Sequence, residues 1–129
     1  MAKAGRFEDL TVWQEARALC KEGYAASKKG AFARDFEMRG QIRGAALSMM
    51  DNIAEGFERG SNKEFAQFLN IGKGSAGEVR SALYAALDQE CLTESEFENL
   101  RAQAISVAWR SSKLISYLHG SAGQRPRAS

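Results

Sequence analysis

Proline occurs once, at Pro126, and histidine once, at His119, in a chain of 129 residues. With no proline before position 126, nothing in the body of the chain forces a helix to break. Val, Ile and Thr together number 10 against 21 alanines, a balance that disfavours sheet and favours helix. The two cysteines, Cys20 and Cys91, lie far apart and make no disulfide framework, so buried thiols are expected. One histidine cannot serve the paired Glu-x-x-His motifs of a di-iron bundle, and with so few His and Cys residues to supply about four ligands no structural zinc site is expected. No apolar run approaches the roughly 20 residues that cross a bilayer, and MAKAGRFEDL has no apolar signal-peptide region. A cytoplasmic protein with no membrane partner is expected.

A large excess of either charge is missing too. Of 18 basic residues, Lys3, Arg6, Arg125 and Arg127 sit near the ends, leaving residues 7–119 with 14 basic and 16 acidic groups, a net of −2. A body of that sign argues against strong, salt-driven nucleic-acid binding by a single subunit, while tails and local patches remain available. Apolar residues at 44% and charged residues at 26% suit one soluble domain, over residues 1–120, with residues 121–129 as a flexible tail.

Three capping boxes mark helix starts: Thr11-Val12-Trp13-Gln14, Ser61-Asn62-Lys63-Glu64 and Thr93-Glu94-Ser95-Glu96. The first helix is predicted over residues 11–29, with Gly30 as its stop and Trp13, Ala16, Cys20 and Tyr24 as its apolar side. The second runs from near Asp35 to about Arg59, with Met38, Ile42, Ala46, Met49, Ile53 and Phe57 at helical spacing. The third extends from Asn62 to about Glu90 with a stripe from Phe65 to Leu87. The fourth, residues 94–119, carries Phe97, Leu100, Ala104, Val107, Ser111, Leu114 and Leu118 in three-four alternation, the seam of a left-handed bundle. Short connections make consecutive helices antiparallel, so the predicted fold is an all-α, up-down-up-down left-handed four-helix bundle.

Gly72-Lys73-Gly74-Ser75-Ala76-Gly77 matches the dinucleotide fingerprint letter by letter, but that motif needs a strand before it and a helix N-terminus after it. Here the preceding KEFAQFLNI is already helical. The structural reading is three small positions that let another helix approach, and no cofactor is expected. Ser48, Asn52 and Glu55 form a polar line beside the apolar stripe of the second helix, expected to make hydrogen bonds between helices. The alternative is a carboxylate site at Asp51 and Glu55, one turn apart. No base other than His119 is available to a Ser or Cys nucleophile, so no enzyme is expected. The acidic run Asp88, Glu90, Glu94, Glu96 and Glu98 reads as a solvated helix start rather than a divalent-ion loop.

The apolar pattern exceeds what one bundle needs. Leu47, Met50 and Ala54, with Arg43 among them, form an extra line on the second helix, and Ala102, Ile105 and Trp109 lie off the seam of the fourth. Arg43, Leu47, Met50, Ala54, Ile105 and Trp109 are therefore candidates for an oligomer interface, unless a loop or the N-terminal segment covers them. Lys28, Lys29, Arg34 and Arg39 converge near the first connection and, with Arg125 and Arg127, are candidate phosphate contacts. Capping of the first helix by Lys28 and Lys29 is the alternative.

The blocks from Phe7 to Trp13, Gln41-Ile42-Arg43-Gly44-Ala45-Ala46-Leu47-Ser48, Asn52-Ile53-Ala54-Glu55-Gly56, and Gly74-Ser75 with Glu78 together carry a family resemblance. The chain resembles the bacterial four-helix bundle proteins named for intervening sequences in large-subunit ribosomal RNA genes. It departs from their pattern at Gly44, where a second arginine is usual, at Met49-Met50 and at Ala33. The resemblance implies left-handed bundles assembled into ring-shaped homopentamers, with no activity or cofactor. A related accessory protein of diversity-generating retroelements binds nucleic acid and a reverse transcriptase. The expectation is a non-enzymatic homo-oligomer, pentamer favoured, that associates with RNA or DNA, with a protein-binding scaffold as the alternative.

Overall fold

The computed structural model describes residues 5–120, all of whose regular elements are helical. The 3-10 turn Phe7–Asp9 leads into α1, Thr11–Ala26, followed by the short α2, Gly30–Arg34, and then α3, Phe36–Glu58, α4, Asn62–Asp88, and α5, Glu94–Gly120. The four long helices pack around a closed circuit in which α1 touches α3 and α5, and α4 touches the same two. That leaves α3 and α5 on diagonal corners of an up-down-up-down four-helix bundle. The tail at residues 121–129 lies outside the described residues.

The apolar stripes fill the centre. Ala16 and Leu19 of α1, Met49 and Ile53 of α3, Phe65 and Leu69 of α4, and Val107 of α5 are buried in one cluster. The helices α3 and α4 approach closely at two glycines. A Cβ on Gly56 would lie 2.6 Å from the Phe68 Cβ, and one on Gly72 would lie 3.2 Å from the Met49 carbonyl oxygen. Of the three glycines in the fingerprint-like stretch, Gly72 is therefore the one that meets a neighbouring helix. Gly74 and Gly77 have open space at their Cβ positions.

Two sequence expectations are corrected at the start of the bundle. Thr11 does not cap α1: Leu10 occupies that position without a side-chain bond, and Gln14 reaches back to the Glu8 carbonyl at 2.9 Å. Nor does α1 continue to Lys29. It closes at Ala26, where the buried Ser27 hydroxyl donates to the Tyr24 carbonyl at 2.9 Å and accepts from Arg43 Nε at 2.7 Å. Gly30, at φ +51°, then starts α2, a single turn that seats Phe32 in the core. Asp35 caps α3 through an N–H bond from Met38 at 3.0 Å.

The other two caps form. Ser61 accepts from the Glu64 N–H at 3.1 Å. Thr93 and Glu96 exchange bonds of 2.9 and 3.1 Å in a full capping box. The Glu96 carboxyl is held below its usual range, first by the Thr93 N–H, with the charge of Lys29 adding to it and burial opposing. Polar side chains close the α1–α5 side. Glu22 accepts from Asn99 and Gln103 at 2.9 and 2.8 Å, and Glu15 engages Ser106 and Arg110.

Candidate interaction surfaces

Part of the polar line on α3 becomes a clasp between helices. The Asn52 amide donates to the Ser48 carbonyl at 2.7 Å and to the Ser48 hydroxyl at 3.1 Å, and that hydroxyl lies 3.0 Å from the hydroxyl of the buried Ser75 on α4. Glu55 is outside it, exposed and 3.7 Å from Arg59 of its own helix. Its partner Arg59 also reaches Glu64 of α4 at 3.7 Å. Asn52→Ala is expected to cost about 1 kcal/mol of stability, read as a Tm lower by several degrees in a thermal melt. An unchanged Tm together with loss of a binding activity would make Asn52 a binding residue instead.

Asp51 and Glu55 do not converge on a site, since both are exposed and Glu55 faces a guanidinium. Among the described residues, no group of three or more His, Cys, Asp or Glu side chains is placed to hold a metal ion. The fingerprint-like glycines lie in the middle of α4, about ten residues from its free N–H groups, where no phosphate cradle exists. Burial pushes the Cys20 thiol up, with the charge of Asp51 adding to the effect, and burial likewise raises Cys91. Neither thiol is set up as a nucleophile.

The predicted basic cluster is divided by the fold. Lys29 pairs with Glu96 at 3.5 Å, and Arg39 donates to the Ala33 carbonyl at 2.9 Å while its guanidinium lies 4.7 Å from the Phe36 ring centre. Lys28 and Arg34 stand exposed, with no ion pair among the described residues. The α4–α5 connection reaches the same end of the bundle, since Lys29 and Gly30 share a groove with Glu90, Thr93 and Glu96. The acidic run noted in the sequence therefore lies beside the basic one. Arg125 and Arg127 are outside the described residues.

The candidate interface residues separate as well. Arg43 is half-buried, bonded to Ser27, with its guanidinium 4.7 Å from the Tyr24 ring centre. Met50 and Ala54 pack partly against the core of their own bundle, and the N-terminal 3-10 turn lies against α3. Ile105 is half-buried. Leu47 at 40% and Trp109 at 56% exposure remain outside, joined by Ile71 and Tyr84 on α4, which the sequence reading had not singled out. Tyr84 accepts from Arg101 Nε at 3.0 Å, and the Lys113 ammonium lies 4.8 Å from the Trp109 ring centre.

These elements define an antiparallel four-helix bundle that keeps aromatic and aliphatic side chains on its outer surface. The family model of the 23S rRNA-intervening sequence protein matches residues 8–112, and the chain belongs to that family. It is similar to a solved structure from Bacteroides thetaiotaomicron VPI-5482, described as a protein with unknown function from the S23 ribosomal protein family. The two share 20% sequence identity at a TM-score of 0.76, over 84% of this chain and 97% of that one. At that identity the likeness shows the fold. No curated protein matches the chain.

Proposed function

We propose that this chain is a non-enzymatic assembly protein: a homo-oligomer of bundles, with five copies favoured by the family resemblance, that associates with RNA or DNA through basic groups multiplied by assembly. The observation that carries the reading is Trp109, 56% exposed on a bundle whose core is already filled. Large aromatic side chains outside a complete core are typical of interface centres. Trp109→Glu is expected to dissociate the assembly, because a carboxylate buried without a partner costs several kcal/mol. Native mass measurement at micromolar concentration reads the result, and a monomer for the unmodified protein would overturn the proposal.

Association with nucleic acid is supported by Lys28 and Arg34, exposed at one end of the bundle and in no ion pair among the described residues. A ring repeats such groups around its axis, which supplies the multivalency that one net-negative body lacks. A structured RNA should shift in electrophoresis at low salt, and binding should weaken steeply as salt rises. Lys28→Glu with Arg34→Glu should lower affinity severalfold and flatten the salt dependence. A second reading, a protein-binding scaffold with no nucleic-acid role, is favoured by the acidic side chains at that same end, where Glu96 takes Lys29. No shift at low salt, or full binding by the dissociated Trp109→Glu variant, would select it.

A further inference from the structure

The first long helix is held differently from the other three. Residue for residue, α1 packs more sparsely on α3 and α5 than α4 does. Its single glycine makes an ordinary contact: a Cβ on Gly23 would lie 3.8 Å from Ile42, against the 2.6 Å and 3.2 Å approaches at Gly56 and Gly72 between α3 and α4. The helices α4 and α5 are joined in turn by the edge contact of Tyr84 with Phe97, 4.9 Å between ring centres. Together α3, α4 and α5 make an interlocked unit with α1 laid along it.

The outer edge of the α1–α5 seam is polar. Glu15 and Glu22, about two turns apart on α1, face Asn99, Gln103, Ser106 and Arg110, which recur every three or four residues on α5. All four donate to carboxylates at a partly exposed edge, and water takes over each of these bonds when the helices part. Such a seam resists opening less than buried apolar contact does.

The apolar hold on α1 is uneven. Val12 and Trp13 are buried at its start, where Phe7 meets the Trp13 ring at 5.1 Å between centres, and Leu10 just before them is buried too. Beyond Leu19 the buried residues of α1 are Cys20, Gly23 and Ala26, all small. Past the helix end the chain has the character of a hinge. Lys28, Lys29 and Gly30 are exposed, and Gly30, at φ +51°, has open space around its Cβ position. Phe32, fully buried, pins the far side of that hinge. Two polar ties close it, Arg43 to Ser27 at 2.7 Å and Lys29 to Glu96 at 3.5 Å.

We propose that α1 is a hinged lid. It swings out as one unit about residues 28–30 while α3, α4 and α5 stay packed, with Trp13 and the bonds of Glu15 and Glu22 as its latch. Opening uncovers an apolar trough lined by Ile42, which meets Gly23, and by Leu100, which shares a groove with Ala25 and Ala26. It also uncovers Cys20, 7% exposed in the closed bundle, which makes the motion measurable by thiol chemistry. The lid needs no second copy of the chain and is independent of the assembly reading above.

Hydrogen–deuterium exchange of the whole protein at sub-denaturing urea, read by mass spectrometry of its peptides, tests the lid. Amides of residues 15–26 should exchange together, at least about tenfold faster than the slowest amides of α4 and with a weaker urea dependence, because less surface is exposed. Equal rates and equal urea dependence in α1 and α4 would show that α1 leaves only when the bundle unfolds. Exchange graded inward from the helix ends would show fraying. Either result overturns the proposal. Asn52→Ala separates the two kinds of opening, since Asn52 bonds the Ser48 hydroxyl that meets Ser75 on α4, and that clasp survives release of the lid. The ratio of α4 to α1 exchange rates should rise about fivefold, and an unchanged ratio overturns the proposal. In Cys91→Ser protein, where Cys20 is the remaining thiol, a maleimide should label Cys20 under native conditions. Glu15→Ala with Glu22→Ala, which keeps α1 helical, should speed that labelling at least about fivefold. Labelling no faster than global unfolding, or unchanged by the two substitutions, would equally overturn it.

Discussion

Phe32→Ala is expected to destabilise the protein by about 3–5 kcal/mol, with a Tm lower by roughly 10–20 °C. Phe32 has no exposed surface, yet it sits on α2, a five-residue helix whose first and last residues are exposed. A helix that short has no stability of its own. It is held by Phe32 in the core, by the left-handed turn at Gly30 and by the Arg39 bond to the Ala33 carbonyl. Removing the ring leaves a cavity and releases the segment, so the first connection should also become more open to proteolysis. Arg39→Ala, which loses the external tie and keeps the ring, is expected to cost about 1 kcal/mol. A Phe32→Ala melt within a degree or two of the unmodified protein would show that the connection contributes nothing to the core.

Phe32 also shows where sequence periodicity stops being informative. The long stripes were legible: every residue named on the α3 stripe from Ile42 to Phe57 is buried, and Ser111 is buried with its apolar neighbours on α5. Those stripes repeat over six or seven turns, so one ambiguous residue changes little. Gly30-Ala31-Phe32-Ala33-Arg34 spans one turn and has no period to read. Lys28-Lys29-Gly30 has the composition of a helix end, and the true end is set at Ser27 by Arg43, 16 residues away in sequence. Thr11 fails as a cap for a similar reason, since Leu10 is buried and the preceding 3-10 turn supplies the acceptor for Gln14.

The surfaces were half legible. Trp109 and Leu47 were identified because they lie off the seams of their helices. Arg43, Met50 and Ala54 belong to the same surplus line, but the line faces α1 and the N-terminal turn on one flank, and helical spacing alone does not say which flank a neighbour occupies. The acids beside the basic cluster come from a connection some 60 residues later in the chain, which local spacing does not reveal.

Gly56→Val is expected to be the other severe substitution, costing at least about 1–3 kcal/mol from overpacking. Gly56 has an ordinary helical backbone, so the cost does not come from conformation. A Cβ there would stand 2.6 Å from the Phe68 Cβ and 3.3 Å from the Phe65 carbonyl oxygen. Those atoms are fixed to the α4 backbone, and no rotamer change can move them aside. Relief requires α4 to move away from α3, which also disturbs the Phe57–Phe65 edge contact at 5.7 Å between ring centres. Gly74→Ala provides the contrast: it too replaces a helical glycine, but in open space, and should stabilise by about 0.5–1 kcal/mol through helix propensity alone. Thermal melts of the two variants should therefore move in opposite directions. If Gly56→Val melts at or above the unmodified protein, α3 and α4 do not approach at Gly56 as closely as the 2.6 Å contact requires.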